Sequence, residues 1–228
     1  MTRLAADVVV FDVNETLSDL APLRERLQQG GAPGHLLETW FAATLRDGFA
    51  LAAAGGRAPF RRVGAAVLRV LLTDLPGLTD DPQDLAEHVL DGFTELDVHP
   101  DVPTGLRVLH DAGLRLVTLT NGSNEVSGAL LERAGVTDLF ERQLSVEDAG
   151  HWKPHPDSYA WAAQQCRTTP DRMLLVAVHP WDLHGAAGAG MSSGWLDRKG
   201  APYPDVFTSP TWAARDLSAL AEQVLTER

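Results

Sequence analysis

The sequence predicts an α/β fold with a parallel sheet, interrupted early by an inserted helical segment. Short, continuous apolar runs at Val8-Val9-Val10-Phe11, Leu114–Leu119 and Met173–Val178 have the character of strands buried on both faces. Helix-like segments alternate with these runs, and each run ends in polar residues. Between Leu17 and His99 the pattern is helical alone, with Gly/Pro breaks and no convincing strand.

The elements follow in order. After the first run come three helical segments, Leu36–Ala54, Phe60–Leu72 and Leu85–Leu96, and Pro100-Asp101-Val102-Pro103 marks the return to the α/β pattern. The expected division is therefore a core of residues 1–16 and 100–228 and an insertion of residues 17–99. Residues 103–112 read as a helix with Pro103 in its first turn, Leu106 and Leu109 on one face and Gly113 at its end. Residues 123–134 read as another, with Ser123 as N-cap and Gly135 beyond the end. Weaker strands are expected at Gly194-Trp195-Leu196 and Asp205-Val206-Phe207. Leu217, Leu220, Ala221, Val224 and Leu225 form the stripe of a last amphipathic helix. The glycine-rich stretch Gly185–Gly190 follows a later strand, whereas a dinucleotide fingerprint belongs in the first turn of its unit.

Composition narrows the function. A chain of 228 residues suits one large domain or one domain with an insertion, at roughly 150 residues per domain. A formal charge of −12 argues against nucleic acid or an anionic membrane as partner, since both demand clustered positive charge. The single cysteine, Cys166, excludes an intramolecular disulfide and fits a reducing compartment. With no apolar run near the ~20 residues that span a bilayer, and no secretory pattern at Met1–Asp7, a cytoplasmic protein is expected.

In open parallel sheets, ligands bind beyond the carboxyl ends of the strands. Those ends carry Asp12-Val13-Asn14-Glu15-Thr16, Thr120-Asn121-Gly122-Ser123 and His179-Pro180-Trp181-Asp182, with His151-Trp152-Lys153-Pro154 in an intervening loop. Asp12 is the natural nucleophile, because a carboxylate attacking an electrophilic centre splits one hard step into two. Lys153 would keep it ionised and offset the charge of an anionic substrate, and Thr16 would orient it. The Thr120 hydroxyl and the N–H groups opening the next helix would bind a carboxylate or phosphate, and Asn121 offers donors to substrate or a departing anion. Asp182 reads either as a helix N-cap or as the group that positions water or holds a metal. His151, His155, His179 and His184 lack a recognised ligand spacing, so no metal site is assigned and His179 is read as a polar pocket residue.

Strand–Asp–x–x–x–Thr, strand–Thr–Asn–Gly, Lys–Pro and strand–x–x–x–x–Asp, in that order, resemble the haloacid dehalogenase superfamily from residue 8 to about 190. The resemblance implies a doubly wound, Rossmann-like core with an inserted helical cap domain, and Asp12 as nucleophile. Within the superfamily, the type II 2-haloacid dehalogenases are the most similar. Lys153-Pro154-His155-Pro156-Asp157-Ser158-Tyr159 looks like their Lys–Pro–x–Pro–x–x–Tyr, and Pro180-Trp181-Asp182 like their Ala–Trp–Asp. Phosphatases of the superfamily carry an acid where this chain has Asn14, which cannot protonate a leaving alcohol; halide needs no proton.

The resemblance thus implies a small anionic substrate, a short 2-haloalkanoate, attacked at C2 by Asp12. Water, positioned by Asp182 with Lys153, would then hydrolyse the ester. Asn14, Thr120, Asn121, Gly122, Trp40, Arg46, Tyr159, His179 and Trp181 are the expected substrate-binding set. No cofactor is implied, and a homodimer is. The chain departs from the pattern at Asn14, where an aromatic is usual, at Glu15, where Gly is usual, and at Val178-His179, where Ser and Asn are usual. The halide-binding Arg expected after Thr39-Trp40 is absent, Phe41-Ala42 standing there, and Arg46 is the candidate replacement one turn beyond Ala42. Two other readings remain open: a Mg²⁺-dependent phosphohydrolase with metal on Asp12, the Asn14 carbonyl and Asp182, and a catalytically weak ligand-binding homologue.

Overall fold

The computed structural model describes residues 6–226. Among these, six strands form one parallel sheet: β1 (Val8–Phe11), β2 (Arg115–Thr120), β3 (Phe140–Ser145), β4 (Met173–Ala177), β5 (Ser192–Leu196) and β6 (Trp212–Ala214). The spatial order is β3-β2-β1-β4-β5-β6. All four β1 side chains are buried, as a central strand covered on both faces requires, and Val8 pairs in register with Arg115 of β2 and Met173 of β4. The chain proceeds from β1 through β2 to β3 on one side and from β4 through β5 to β6 on the other. The topological switch point therefore lies between β1 and β4, and Asp12 is the first residue beyond β1 there.

Between β1 and β2 the chain forms α1 (Leu23–Gln29), α2 (Leu36–Ala53), α3 (Phe60–Leu72) and α4 (Pro82–Asp91), with a 3₁₀ turn at Gly92–Glu95. Then follow α5 (Val102–Asp111), α6 (Asn124–Arg133), the single turn α7 (Val146–Ala149), α8 (Pro156–Gln165), α9 (Pro180–Gly188) and α10 (Leu217–Thr226). The fold is the expected α/β class, a doubly wound Rossmann-like core carrying a helical cap. No helix among the described residues is long and apolar enough to cross a membrane.

The punctuation residues behave as their chemistry dictates. Ser123 Oγ accepts from the Val126 N–H at 3.3 Å and caps α6, and Gly113 and Gly135 take left-handed φ values of 81° and 63° just past their helices. Two expectations need correction. Asp205-Val206-Phe207 is a turn, closed by the Phe207 N–H on the Pro204 carbonyl at 3.2 Å, with Val206 exposed; the sixth strand is Trp212–Ala214. The segment expected to stay helical to Leu96 tightens into the 3₁₀ turn after Asp91. The helix α1 and the edge strand β3 escaped the sequence pattern. In β3, Glu141 and Arg142 interrupt the apolar run, and such exposed charges also protect a sheet edge from further pairing.

The helices α5 and α10 pack on each other, and Gly105 sets their separation: a Cβ there would lie 2.5 Å from Leu217 Cγ and 2.9 Å from Leu217 backbone C. Replacing Gly105 by Ala gains roughly 0.5–1 kcal/mol of helix preference but incurs an overpacking cost of typically 1–3 kcal/mol against atoms that cannot swing away. Gly105→Ala should therefore lower the urea midpoint of unfolding. An unchanged or higher midpoint would show that the α5–α10 contact is loose.

Candidate active site

Asp12 sits in the switch-point crevice and is 4% exposed. Its carboxylate is held from both ends: Lys153 Nζ donates to Oδ1 at 2.9 Å, while Thr16 Oγ1 donates to Oδ2 at 2.6 Å. His179 Nδ1 also lies 3.0 Å from Oδ2. Lys153 is fully buried, and its ammonium bridges to Asp182 Oδ2 at 2.6 Å. Asp182, also fully buried, accepts on Oδ1 from the Tyr159 hydroxyl at 2.6 Å. Thr16 is fixed in turn, its Oγ1 accepting the Val178 N–H at 3.1 Å.

These contacts set the protonation states. Burial alone would raise the Asp12 carboxyl, but the Lys153 ammonium and His179 outweigh it and hold it well below the usual carboxylate range. Burial would strip Lys153 of its proton, yet two adjacent carboxylates raise it above its ordinary value. Asp182 moves the other way: burial and the nearby Asp12 charge raise it despite Lys153 and Tyr159. The two carboxylates flanking one ammonium are thus pushed apart in acidity.

The fourth strand end brings a further pair together. His179 Nε2 lies 3.0 Å from Glu15 Oε2, so its ring spans two carboxylates, and burial is overcome by Asp12 and Glu15 to push its pKa from 6.5 up to about 9. Phe41 and Trp181 stack on the ring at centroid distances of 6.1 and 5.1 Å. Glu15 has a φ of 61°, a left-handed conformation that costs a non-glycine residue of order 1–3 kcal/mol. Glu15 and His179 are both departures from the dehalogenase pattern, and here they touch. Sequence reasoning singled out His179 alone; nothing in the spacing identified Glu15 as its partner.

Other expected site residues are placed differently. Asn121 spends its amide on the Lys153 backbone, accepting from its N–H at 2.9 Å and donating to its carbonyl at 3.2 Å, so it holds the lysine loop rather than an anion. The Thr120 hydroxyl accepts the Gly122 N–H at 2.9 Å, closing the turn beside Asn14. Tyr159 reaches Asp182 and not an open pocket. Trp40 is buried away from the crevice, its Nε1 donating to the Gly64 carbonyl at 2.8 Å and its ring against Phe93. Arg46 is exposed, pairs with Asp47 at 2.7 Å and lines a separate groove between α2 and α3. Ala42 shares that exposed face. At about 100° per residue, position 46 lies ~140° around the helix from Phe41, the α2 side chain that faces His179.

Trp152 joins the helical cap to the lysine loop. Its Nε1 donates to the Ala58 carbonyl at 3.0 Å, its ring stacks on Phe60 at 6.0 Å, and a Cβ on Gly48 would overlap the indole. A cavity of about 270 Å³ borders Asn14, Phe60, Gly122 and Ser123, and one of about 570 Å³ borders Glu15, Phe41 and His179. Among the described residues, one group has metal-ligand spacing: His151, His155 and Asp157, with ligand atoms within 4.8 Å of one another, on the exposed rim. His155 Nδ1 there already accepts the Asp157 N–H at 3.2 Å.

A buried ammonium between two strand-end carboxylates on a doubly wound sheet with a helical cap defines a class, and comparison with known proteins agrees. The family model for haloacid dehalogenase-like hydrolases matches residues 6–190, and the chain belongs to that family. (S)-2-haloacid dehalogenase of Xanthobacter autotrophicus is 32% identical over 186 residues, covering 81% of this chain and 72% of that protein. Haloacetate dehalogenase H-2 of Moraxella sp. (strain B) is 29% identical over 139 residues, 61% of this chain and 62% of the relative's length. The structure of L-2-haloacid dehalogenase from X. autotrophicus with chloropropionic acid covalently bound superposes with a TM-score of 0.85 at 26% identity, covering 96% of this chain and 98% of that one.

Two predictions follow from the charges. Lys153→Met strands two buried carboxylates and should cost about 3–5 kcal/mol at neutral pH. The deficit should shrink at acid pH as the carboxylates protonate; a deficit independent of pH would mean that Lys153 acts through packing. The raised His179 contributes stability that is complete below about pH 6.5 and lost as pH rises through about 9. Denaturation midpoints of His179→Asn should lack that alkaline decline, and an identical decline in both proteins would assign it to another group.

Proposed function

We propose that this chain is a hydrolytic 2-haloacid dehalogenase in which Asp12 displaces halide from C2 of a short 2-haloalkanoate, forming a covalent ester that water hydrolyses to the 2-hydroxy acid. The observation that carries the reading is the Lys153 ammonium sealed between Asp12 and Asp182, at 2.9 and 2.6 Å. It keeps the nucleophile ionised and offsets the negative charge that an anionic substrate brings. Asn14 supports the same choice: it gives a leaving alcohol no acid, and halide needs none.

The substrate carboxylate is assigned to the N–H groups at the start of α6, next to Asn14 and Gly122. Phe60 borders the smaller cavity and Phe41 the larger, and these rings are assigned to screen the halogen-bearing carbon from bulk water. Asp182, less acidic than Asp12, takes the proton of the hydrolytic water. The chemistry for which the relatives are named, on haloacids and haloacetate, is the chemistry this site is suited to.

Halide release from chloroacetate, bromoacetate, fluoroacetate and both 2-chloropropionate enantiomers, in EDTA, tests the reading. Release that survives EDTA and vanishes in Asp12→Asn is expected. Release of phosphate from phosphate esters only with Mg²⁺, and no halide from any haloacid, would replace it with the phosphohydrolase reading.

A further inference from the structure

The two oxygens of Asp12 are not equivalent. Among the described residues, Oδ2 receives Thr16 Oγ1 at 2.6 Å and faces His179 Nδ1 at 3.0 Å, whereas Oδ1 receives Lys153 Nζ at 2.9 Å. A carboxylate oxygen has about two lone-pair sites. Two donors saturate Oδ2; one donor leaves Oδ1 a free pair. His179 can satisfy both Asp12 and Glu15, each 3.0 Å from a ring nitrogen, only by donating from both. The rings of Phe41 and Trp181 fix its plane, and Glu15 holds its far end from a backbone conformation that glycine would adopt more cheaply.

We propose that Thr16 and His179, the latter held by Glu15, form an oxyanion hole on Asp12 Oδ2 that serves hydrolysis of the ester, and that Oδ1 is the attacking oxygen. The inference rests on the dehalogenase reading and assigns its second step. In the first step Oδ1 bonds to C2 as the carbon–halogen bond breaks, and halide leaves with the electron pair. Water then adds to Cγ, giving one proton to Asp182, and the Cγ–Oδ2 π pair moves onto Oδ2. There the negative charge meets two donors already at 2.6 and 3.0 Å, close to the ~2.7–3.1 Å such a hole requires. As the pair returns, the Cγ–Oδ1 bond breaks, and the departing 2-hydroxy acid oxygen takes a proton from Lys153, which Asp182 replenishes. The carboxylic acid left on Asp12 loses its remaining proton to solvent. Glu15 touches none of the reacting atoms and is a positioning residue.

Rapid-quench kinetics on the full chain, following halide and 2-hydroxy acid separately with bromoacetate, tests this. His179→Ala should release about one halide per active site in a burst that precedes hydroxy acid. Hydroxy acid should then appear about 10²–10³-fold more slowly, the loss typical of one oxyanion donor, and intact mass should show the ester accumulating. His179→Asn, which restores a neutral donor in a similar shape, should recover part of the second step and guards against a misfolded Ala variant. Glu15→Gly should slow hydroxy acid formation more than halide release. If both steps slow equally in His179→Ala and His179→Asn, with no ester accumulating, the oxyanion assignment is overturned while dehalogenation stands. A wild-type enzyme releasing no halide overturns the dehalogenase reading and this inference together.

Discussion

The Lys153 ammonium, closed off from solvent between Asp12 and Asp182, is the constraint around which the crevice is built. Three charges without water are stable only when each is paired and hydrogen-bonded, because breaking such a set costs about 3–5 kcal/mol. The surroundings meet that demand group by group. Asn121 clamps the lysine's peptide, Tyr159 occupies the free oxygen of Asp182, and Thr16 takes the second oxygen of Asp12. Trp152, next to Lys153, is pinned against Ala58, Phe60 and Gly48, so the position of the ammonium depends on the helical cap as well as the sheet.

The same carboxylate faces a second cation on its other side. His179 answers Asp12 as Lys153 does, but from a partly open wall, and Glu15 secures it at the cost of a left-handed backbone. Strain at such a site is retained when a contact requires it. Two positions that depart from the dehalogenase pattern thus meet in one hydrogen bond, and the aromatic Phe41 lies over the imidazole. The cap helix α2 therefore meets the site through an apolar ring.

Much of this was legible in the sequence, and the exceptions have physical causes. Continuous apolar runs announced β1, β2 and β4 because central parallel strands are covered on both faces, whereas β3 is an edge strand whose Glu141 and Arg142 face outward. Asp12, Thr16, Lys153 and Asp182 come together as the sequence suggests because strand ends and one fixed loop place them regardless of side-chain detail. What one-dimensional spacing cannot carry is the direction of a helical side chain or the partner of a polar one. Arg46 and Trp40 read as site residues, but the rotation of α2 sends one to solvent and the other into the helical core. Asn121 and Tyr159 lie beside Lys153 and Asp182 and spend their polar atoms on them. Glu15 could be recognised only once the fold brought His179 to it.

The central claim is that the Asp12 carboxylate itself carries the substrate. A single turnover with excess enzyme in H₂¹⁸O, followed by peptide mass analysis, tests it most directly. One ¹⁸O should enter the peptide bearing Asp12, with the product hydroxyl keeping ordinary oxygen, because hydrolysis breaks the bond between Cγ and the ester oxygen. Label in the product alone, with none in Asp12, would mean that water attacks the substrate directly and would contradict the covalent account.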